Sequence, residues 1–188
     1  MNLKRIAIAM LVAVTAGLMA IPFSPAVVSG NAAQALPCGL SGTFIQTGDF
    51  FFQGPAGKSG PFNAPEVNVA AITGAASGEI VLVFKNVGGT EHEILSALFL
   101  TTTETIIKSF DAKCNEISKV ESIGSLREVE VQPEMTAEVT LALDEALVRS
   151  LEDDPNLALT FEIVCHVDHG TADDHYKKGM RGFITLKP

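Results

Sequence analysis

Residues 157–165 read Leu-Ala-Leu-Thr-Phe-Glu-Ile-Val-Cys, and this stretch is the most informative strand pattern in the sequence. Large apolar side chains alternate along it with smaller or polar ones, which is typical of a β-strand with one buried face. The odd-numbered side chains share the buried face, and the last of them is Cys165. The pattern therefore predicts a strand that brings Cys165, pointing inward, to the end of a sheet.

Further short apolar runs, separated by turn residues, predict strands before and after this one. They cover residues 67–72, 79–86, 93–100, 103–110, 126–131, 137–143 and 182–186. Residues 36–65 are rich in Gly, Pro, Phe and Asn, and they predict one strand followed by loop. Leu147 and Leu151 lie four residues apart, which favours a short helix over 144–152. The seven or eight strands that follow residues 36–65, with one short helix, indicate an all-β fold, an antiparallel sandwich or barrel.

The composition narrows the function classes before any motif is considered. The chain has 188 residues, of which 47% are hydrophobic, and its formal net charge is -9 at pH 7. This length predicts one domain with a core of its own. An acidic chain without a run of Lys and Arg argues against binding to nucleic acid or to anionic membranes, whereas a basic protein partner is permitted.

The first 35 residues have the layout of a secretory signal peptide. Lys4 and Arg5 precede an apolar run over 6–21, and small residues follow at 31–35. Cleavage there removes two cations and no anion, which takes the net charge from -9 to -11. We therefore expect a periplasmic or extracellular protein with no membrane span in the mature chain. An uncleaved N-terminal membrane anchor is the alternative.

Export changes the interpretation of the three cysteines. In an oxidising compartment cysteines usually pair, and an odd one requires a reason. Cys38 and Cys114 lie in polar or Gly-rich surroundings, and we expect them to form a disulfide bond. Cys165 is then left as a free thiol, either a small buried apolar side chain or a functional thiolate.

The histidines favour the functional interpretation of Cys165. Three of the four in the chain follow it within ten residues, a methionine comes soon after, and the fourth histidine follows another predicted strand. These residues are His166, His169, His175, Met180 and His92. One thiolate, two imidazoles and a weak thioether are the ligands of an electron-transfer copper site, because both Cu(I) and Cu(II) accept this set. The pattern predicts a metal centre at the strand ends.

Two segments also resemble a known family. Residues 86–92 read Asn-Val-Gly-Gly-Thr-Glu-His, and residues 175–182 read His-Tyr-Lys-Lys-Gly-Met-Arg-Gly. Together with Cys165, they resemble the cupredoxins, the plastocyanin-like blue copper proteins, and the likeness covers about residues 66–188. The resemblance implies a Greek-key β-sandwich with one copper ion at one end, and residues 36–65 then form an N-terminal extension packed on this domain. The ligands that it implies are His92, Cys165, His175 and Met180.

The spacing departs from that family in one place. Nine residues separate Cys165 from His175, where four are usual. If His175 is the second imidazole ligand, the additional residues bulge outward, and this register keeps the usual spacing to Met180. In the alternative register His169 binds instead. A site that uses both, with His92 and Cys165, is a Cys-His₃ centre holding non-blue copper or zinc.

The other polar side chains of this loop are expected to lie in solvent. His166 is the immediate neighbour of Cys165 and should therefore point away from the core. The acidic members are Asp168, Asp173 and Asp174, and the basic members, which also suit a docking patch, are Lys177, Lys178 and Arg181.

These observations predict a protein with one type 1 copper that cycles between Cu(I) and Cu(II) and exchanges electrons with cytochromes or with partners of the oxidase or reductase type. Because the sequence holds no second histidine-rich copper set, we expect no enzymatic activity. The alternatives are a copper-binding and delivery protein, or a zinc site. A delivery protein usually has an exposed Met- or His-rich tract, and this chain has only five methionines.

Overall fold

The computed structural model describes residues 35–60, 67–124 and 126–188. The signal segment expected over residues 1–35 lies, apart from its last residue, outside these ranges. Among the described residues, no helix is both long enough and apolar enough to cross a membrane.

The described chain forms twelve strands and one α-helix. In chain order the strands are β1 Thr43–Gly48, β2 Phe51–Gly54, β3 Gly57–Lys58, β4 Asn68–Ile72, β5 Glu79–Asn86, β6 His92–Ser96, β7 Thr102–Phe110, β8 Glu116–Ile123, β9 Val129–Val131, β10 Thr136–Leu143, β11 Leu159–Cys165 and β12 Arg181–Leu186. Helix α1, Glu145–Asp153, lies between β10 and β11, and short 3₁₀ turns cover Pro37–Gly39, Ala75–Ser77 and Ala97–Leu100.

The strands form two mixed sheets. The larger has seven strands in the order β3-β2-β1-β5-β10-β7-β8, and the smaller has five in the order β4-β12-β11-β6-β9. Most neighbours are antiparallel, whereas β1 pairs with β5, and β12 with β4, in parallel. The all-β sandwich with one helix is therefore confirmed, and the purely antiparallel pairing expected from the sequence is wrong at these two pairs.

The core lies between the sheets and is built by alternation along the strands. The larger sheet contributes buried side chains such as Ile45, Leu82, Phe84, Val139 and Leu141, and the smaller contributes Ile94, Ile163, Ile184 and Leu186. Each fully buried side chain of this size stabilises the fold by roughly 1.5–3 kcal/mol relative to exposure. Cys165 belongs to this same cluster. The site is thus placed by the packing that stabilises the domain.

Local signals explain why most elements form where the sequence predicts them. β5 has the expected bounds, and β11 has the expected alternation, with Ile163 and Cys165 buried. Helix α1 begins after Asp144, whose Oδ1 accepts a hydrogen bond from the backbone N–H of Leu147. An aspartate at this position satisfies a helix N–H that would otherwise have no partner.

The sequence analysis missed three strands. Residues 36–65 contain β1, β2 and β3 rather than a single strand, and all three join the larger sheet. β8 was missed because nearly all of its side chains are exposed, so no buried face produces a hydrophobic pattern. The end of the strand expected at 93–100 is a 3₁₀ turn instead.

The disulfide bond between Cys38 and Cys114 is present, as expected. It joins the segment before β1 to the turn between β7 and β8, across a sequence separation of 76 residues. A cross-link that closes so long a loop lowers the entropy of the unfolded chain.

We expect the double variant Cys38→Ser/Cys114→Ser to lose about 4 kcal/mol of unfolding free energy, the value that loop-closure entropy gives for a loop of this length. Denaturant titration of the variant and the parent chain measures the difference. The reduced parent chain should match the variant, and the oxidised parent chain should carry one free thiol. Equal stability of variant and parent would contradict the structural role of the bond.

Candidate metal centre

Cys165 is the last residue of β11 and is fully buried. Its strand lies in the middle of the smaller sheet, between β12 and β6. The backbone N–H of Cys165 donates to the carbonyl oxygen of Met180 at 3.1 Å, and Cys165 pairs with Ile94 of β6 on the other side. The side chain is therefore held from both neighbouring strands.

His92 is the first residue of β6 and is also fully buried. The turn before it is organised by Asn86, whose Nδ2 donates to the carbonyl oxygens of Thr90 at 2.7 Å and Val131 at 2.8 Å. The Oδ1 of Asn86 accepts from the N–H of Gly88 at 2.8 Å. A buried amide that makes three hydrogen bonds fixes the chain that enters β6, and with it the position of His92.

Asp49 holds the same turn from the outside. Its Oδ1 accepts from the N–H of Gly89 at 3.0 Å and from the hydroxyl of Thr90 at 3.2 Å. A Cβ atom at Gly88 would collide with the Asp49 carboxylate, so this close approach requires glycine. The β1–β2 turn, which the sequence analysis did not associate with the site, therefore supports the His92 turn.

His175 lies in the loop between β11 and β12, and only 2% of its surface is exposed. Its N–H donates to the carbonyl oxygen of Val167 at 3.2 Å, and its carbonyl oxygen accepts from the N–H of Met180 at 2.9 Å. The ring of Phe50 packs edge-on against the imidazole, with centroids 5.0 Å apart. Phe50 is a second contributor that the sequence analysis missed, since nothing local to residue 50 indicates its proximity to residue 175.

The three side chains face one another. The Cys165 Sγ lies 3.7 Å from the Nδ1 of His92 and 3.5 Å from the Nδ1 of His175. All three donor atoms lie within 4.8 Å of one another. An ion bound at about 2.0–2.3 Å from each donor places sulfur and nitrogen roughly 3.5–3.8 Å apart, so the two sulfur–nitrogen distances fit a metal ion in the copper and zinc size range.

Burial keeps all three groups uncharged when no metal is bound. It raises the pKa of the Cys165 thiol to about 11. Burial, together with the neighbouring His175, lowers the pKa of His92 to about 4, and burial also lowers the pKa of His175. Within the described part of the chain, the buried Nε2 of His92 has no hydrogen-bond partner. The cluster thus consists of two neutral imidazoles and a neutral thiol, a donor set that would bind a metal cation.

His169 is not part of this cluster. Its side chain is 65% exposed, its Nδ1 lies 3.4 Å from the Oδ2 of Asp174, and its ring stacks on His166 at 4.8 Å. The structure therefore places His175, and not His169, against Cys165. The Cys-His₃ arrangement is not formed by the described residues, and the assignment of the actual ligands stays a prediction.

The expectation that Asp174 is solvated is wrong. Its side chain is buried, its two oxygens accept hydrogen bonds from the N–H groups of Gly170 and Lys177, and these bonds lower the pKa of Asp174 to about 2. The carboxylate is stabilised by backbone donors inside the loop, which a hydrophobicity pattern does not reveal. Asp168 and Asp173 are exposed as expected.

Met180 is fully buried, directly before β12. Its backbone bonds to both Cys165 and His175 place it beside the cluster. Its role as a thioether ligand stays a prediction.

Comparison with known proteins gives matches of structure only. No family model and no curated protein sequence matches the chain. Among solved structures, it resembles the McoA multicopper oxidase of Aquifex aeolicus, with 14% identity and a TM-score of 0.44 over 78% of this chain and 28% of that one. It also resembles a multicopper oxidase of Campylobacter jejuni described as a metallo-oxidase, with 12% identity and a TM-score of 0.46 over 78% of this chain and 29% of that one.

A third match is the blue copper oxidase of Nitrosomonas europaea, with 19% identity and a TM-score of 0.38 over 73% of this chain and 34% of that one. The chain thus spans only a minor part of each of these oxidases. The two-sheet sandwich and the His-Cys-His cluster agree at this coarse level with the cupredoxin resemblance, and the donor set supports a copper-related function.

The prediction that the chain is not an enzyme is wrong against these matches, because the three structures are oxidases. The reasoning behind it was incomplete for a physical reason. The ligands of a copper ion determine whether it can exchange single electrons. They do not determine whether the electron comes from a protein partner or from a substrate.

The raised pKa of Cys165 predicts the proton balance of metal uptake. At pH 9 the buried thiol is protonated and both imidazoles are neutral, so binding should release ~1 proton per ion, whereas a thiol with the ordinary pKa of 9.0 would release only ~0.5. Anaerobic titration of the apoprotein with Cu(I) in weakly buffered solution containing a pH indicator measures the release. Cys165→Ser, which lacks the thiol proton, is the control. Release near half a proton would contradict the effect of burial.

The position of the two loop histidines predicts opposite effects of their substitution. His175→Ala should lower copper affinity by at least ~10-fold, since a buried donor 3.5 Å from the Cys165 Sγ is removed. His169→Ala should leave affinity and spectrum nearly unchanged. Competition titration with a chelator measures both. The reverse result would show that the His169 register is the correct one.

Proposed function

We propose that this protein holds one type 1 copper ion and transfers single electrons in an exported, oxidising compartment. The observation that supports this most directly is the cluster of three buried donors, one thiol sulfur and two imidazole nitrogens, at the end of the smaller sheet. Copper bound to such a set supplies a one-electron couple between Cu(II) and Cu(I).

The role of the chain is to keep the donors in the same place in both oxidation states. Cys165 and His92 are anchored in adjacent, hydrogen-bonded strands, and His175 is anchored by its own backbone bonds and by Phe50. Donors supported in this way move little when charge changes, which favours rapid electron exchange. We assign the thiolate and both Nδ1 atoms as the strong ligands and Met180 as the weak fourth donor.

Burial has a second effect at this site. Because the three donor side chains are at most 2% exposed, bulk water is kept from the donor atoms. The same burial argues against a delivery protein, in which a receiving ligand has to reach the ion. A structural zinc site usually has four strong ligands, and among the described His, Cys, Asp and Glu residues this cluster has three. Copper is therefore the favoured ion.

The charged side chains beside the site affect how a partner protein would dock. Lys178 lies 2.6 Å from Asp173 and also 4.4 Å from the centre of the Phe50 ring, and Lys177 lies 3.5 Å from Asp174. These lysines are largely balanced by adjacent carboxylates, so they do not form a simple positive docking patch. We propose redox proteins of the cytochrome, oxidase or reductase type as partners, with basic ones favoured by the net charge of -9.

The visible spectrum of the copper-loaded protein tests this function. Cu(II) should give the intense thiolate-to-copper band of a blue site, and Cys165→Ser should abolish it. His166→Ala, a change at the adjacent residue that is not a donor, should keep it. Met180→Leu, a swap of similar volume, should keep the colour and raise the reduction potential, because a weak donor that favours Cu(II) is lost.

Two results would contradict the proposal. Preferential retention of Zn(II) from a mixture of equal Cu and Zn, with no intense band in Cu(II)-loaded protein, would assign a zinc site. A Met180→Leu variant with an unchanged potential would remove Met180 from the ligand set and leave a three-donor centre.

A further inference from the structure

The larger sheet ends in a long strand with one open edge. β8 has eight residues, and among the described strands it pairs only with β7. The other edge strands of the described sheets are less available for pairing. β3 has two residues and β9 has three. β4 is approached by the β2–β3 turn, where the N–H of Ala56 donates to the carbonyl oxygen of Val69 at 3.1 Å. An edge as long as β8 is a template for pairing with another strand.

β8 also exposes apolar side chains that the fold does not use. Ile117 is 54% exposed, Val120 is 52% exposed and Ile123 is 96% exposed. Strands at sheet edges usually carry charges that prevent association. In β8 the charges at the centre are Lys119 and Glu121, which have opposite sign and form an ion pair with each other along the strand.

The backbone shows which residues of β8 can bond to a new neighbour. The N–H of Gly124 donates to the carbonyl oxygen of Thr103 at 2.8 Å, so even-numbered residues of this strand direct their backbone groups toward β7. Because these directions alternate, the N–H and C=O groups of Lys119, Glu121 and Ile123 point to the open side. The register with β7 shifts at Ile117, so this alternation does not extend to the backbone groups of Ile117.

The sequence of β8 is complementary to itself in one antiparallel register. When two copies are centred on Val120, Lys119 lies opposite Glu121 of the second copy, and Glu121 lies opposite its Lys119. The same register sets Ile117 against Ile123, Ser118 against Ser122, and Val120 against itself. A register centred on Lys119 or on Glu121 also uses the outward backbone groups, but it sets a charge directly against its own copy, which is destabilising.

We propose that this protein forms a symmetric dimer in which β8 of two copies pair in the register centred on Val120. The pairs Lys119–Glu121 and Glu121–Lys119 each exchange two backbone hydrogen bonds, and the two larger sheets become one continuous sheet. The occupant is a second copy because the charges and the exposed apolar side chains of β8 are complementary to those of its own sequence in this register. The surface is small and each chain is acidic, so the dimer is reversible and depends on concentration.

Charge exchange tests the pairing. Both side chains are exposed, so the variants Lys119→Glu and Glu121→Lys should fold normally, as circular dichroism can verify. In a dimer of either single variant, like charges lie opposite each other at two positions. The dimer dissociation constant should therefore rise at least ~10-fold, which analytical ultracentrifugation measures. An equimolar mixture of the two should restore association as a heterodimer. The double variant Lys119→Glu/Glu121→Lys should associate like the parent chain.

This design separates the specific pairs from total charge. Glu121→Lys makes the chain less acidic, so a dimer limited only by bulk repulsion would become stronger in this variant instead of weaker. The samples should be the protein in the form in which the cell accumulates it. Concentrations should extend to ~1 mM, which is the dissociation constant of a weak specific complex. A parent chain that is monomeric throughout, or a dimer that is insensitive to the single variants, would overturn the proposal.

Disulfide trapping tests the register independently. Val120 faces itself as a non-hydrogen-bonded pair, in which Cα atoms lie about 4.5 Å apart, within the range that a disulfide requires. Val120→Cys should therefore cross-link into a covalent dimer under mild oxidation. Ser122→Cys, whose counterpart is Ser118, should not. Equal cross-linking of the two variants, or none in Val120→Cys, would contradict this register.

Discussion

The hydrogen-bonded register of β11 with its two neighbours is the constraint on which the site depends. β11 lies between β6, which begins at His92, and β12, which begins directly after Met180. Pairing on both sides places the end of β11, and so the Cys165 Sγ, beside His92 of β6 and beside Met180, which directly precedes β12. A shift of one residue in β11 would turn Cys165 to the outer face and break the core alternation at Ile163 as well. Site geometry and core packing are therefore specified by the same interaction.

That arrangement has an energetic cost. Two imidazoles and a thiol are removed from water, and the Nε2 of His92 has no partner among the described residues. A buried polar atom that lacks a hydrogen bond costs about 1–3 kcal/mol. The cost is limited because burial keeps the groups neutral, with the pKa of the thiol raised and those of the imidazoles lowered. Without a metal, the fold thus carries a neutral, preorganised cluster of donors that costs stability, and a cation bound there would couple metal binding to the stability of the fold.

The residues that sequence analysis placed well are those whose signal is local. The alternation ending at Cys165 and the spacing of Leu147 and Leu151 each depend on a few neighbouring residues, and the predicted strand and helix are both present in the structure. β8 gave no such signal, because an exposed edge strand has no buried face to create one. The support of the His92 turn by Asp49 and of His175 by Phe50 joins residues about 40 and 125 positions apart, and such long-range contacts depend on the topology of the sheets rather than on local pattern.

The nine-residue loop shows why spacing along the chain is a weak guide to which histidine lies beside Cys165. Its added length is absorbed by a local turn, in which the N–H of Thr171 bonds to the carbonyl oxygen of Asp168 and the N–H of Gly170 bonds to the Asp174 carboxylate. After Asp174 the chain is positioned from the other side, by the bond from the N–H of Met180 to the carbonyl oxygen of His175. The backbone of His175 is thus bonded to both ends of the loop, to Val167 near Cys165 and to Met180 before β12, so the residues between Val167 and His175 add length without displacing the imidazole. Because closing a longer loop adds little entropy cost, the insertion can extend into solvent while the buried donors keep their places.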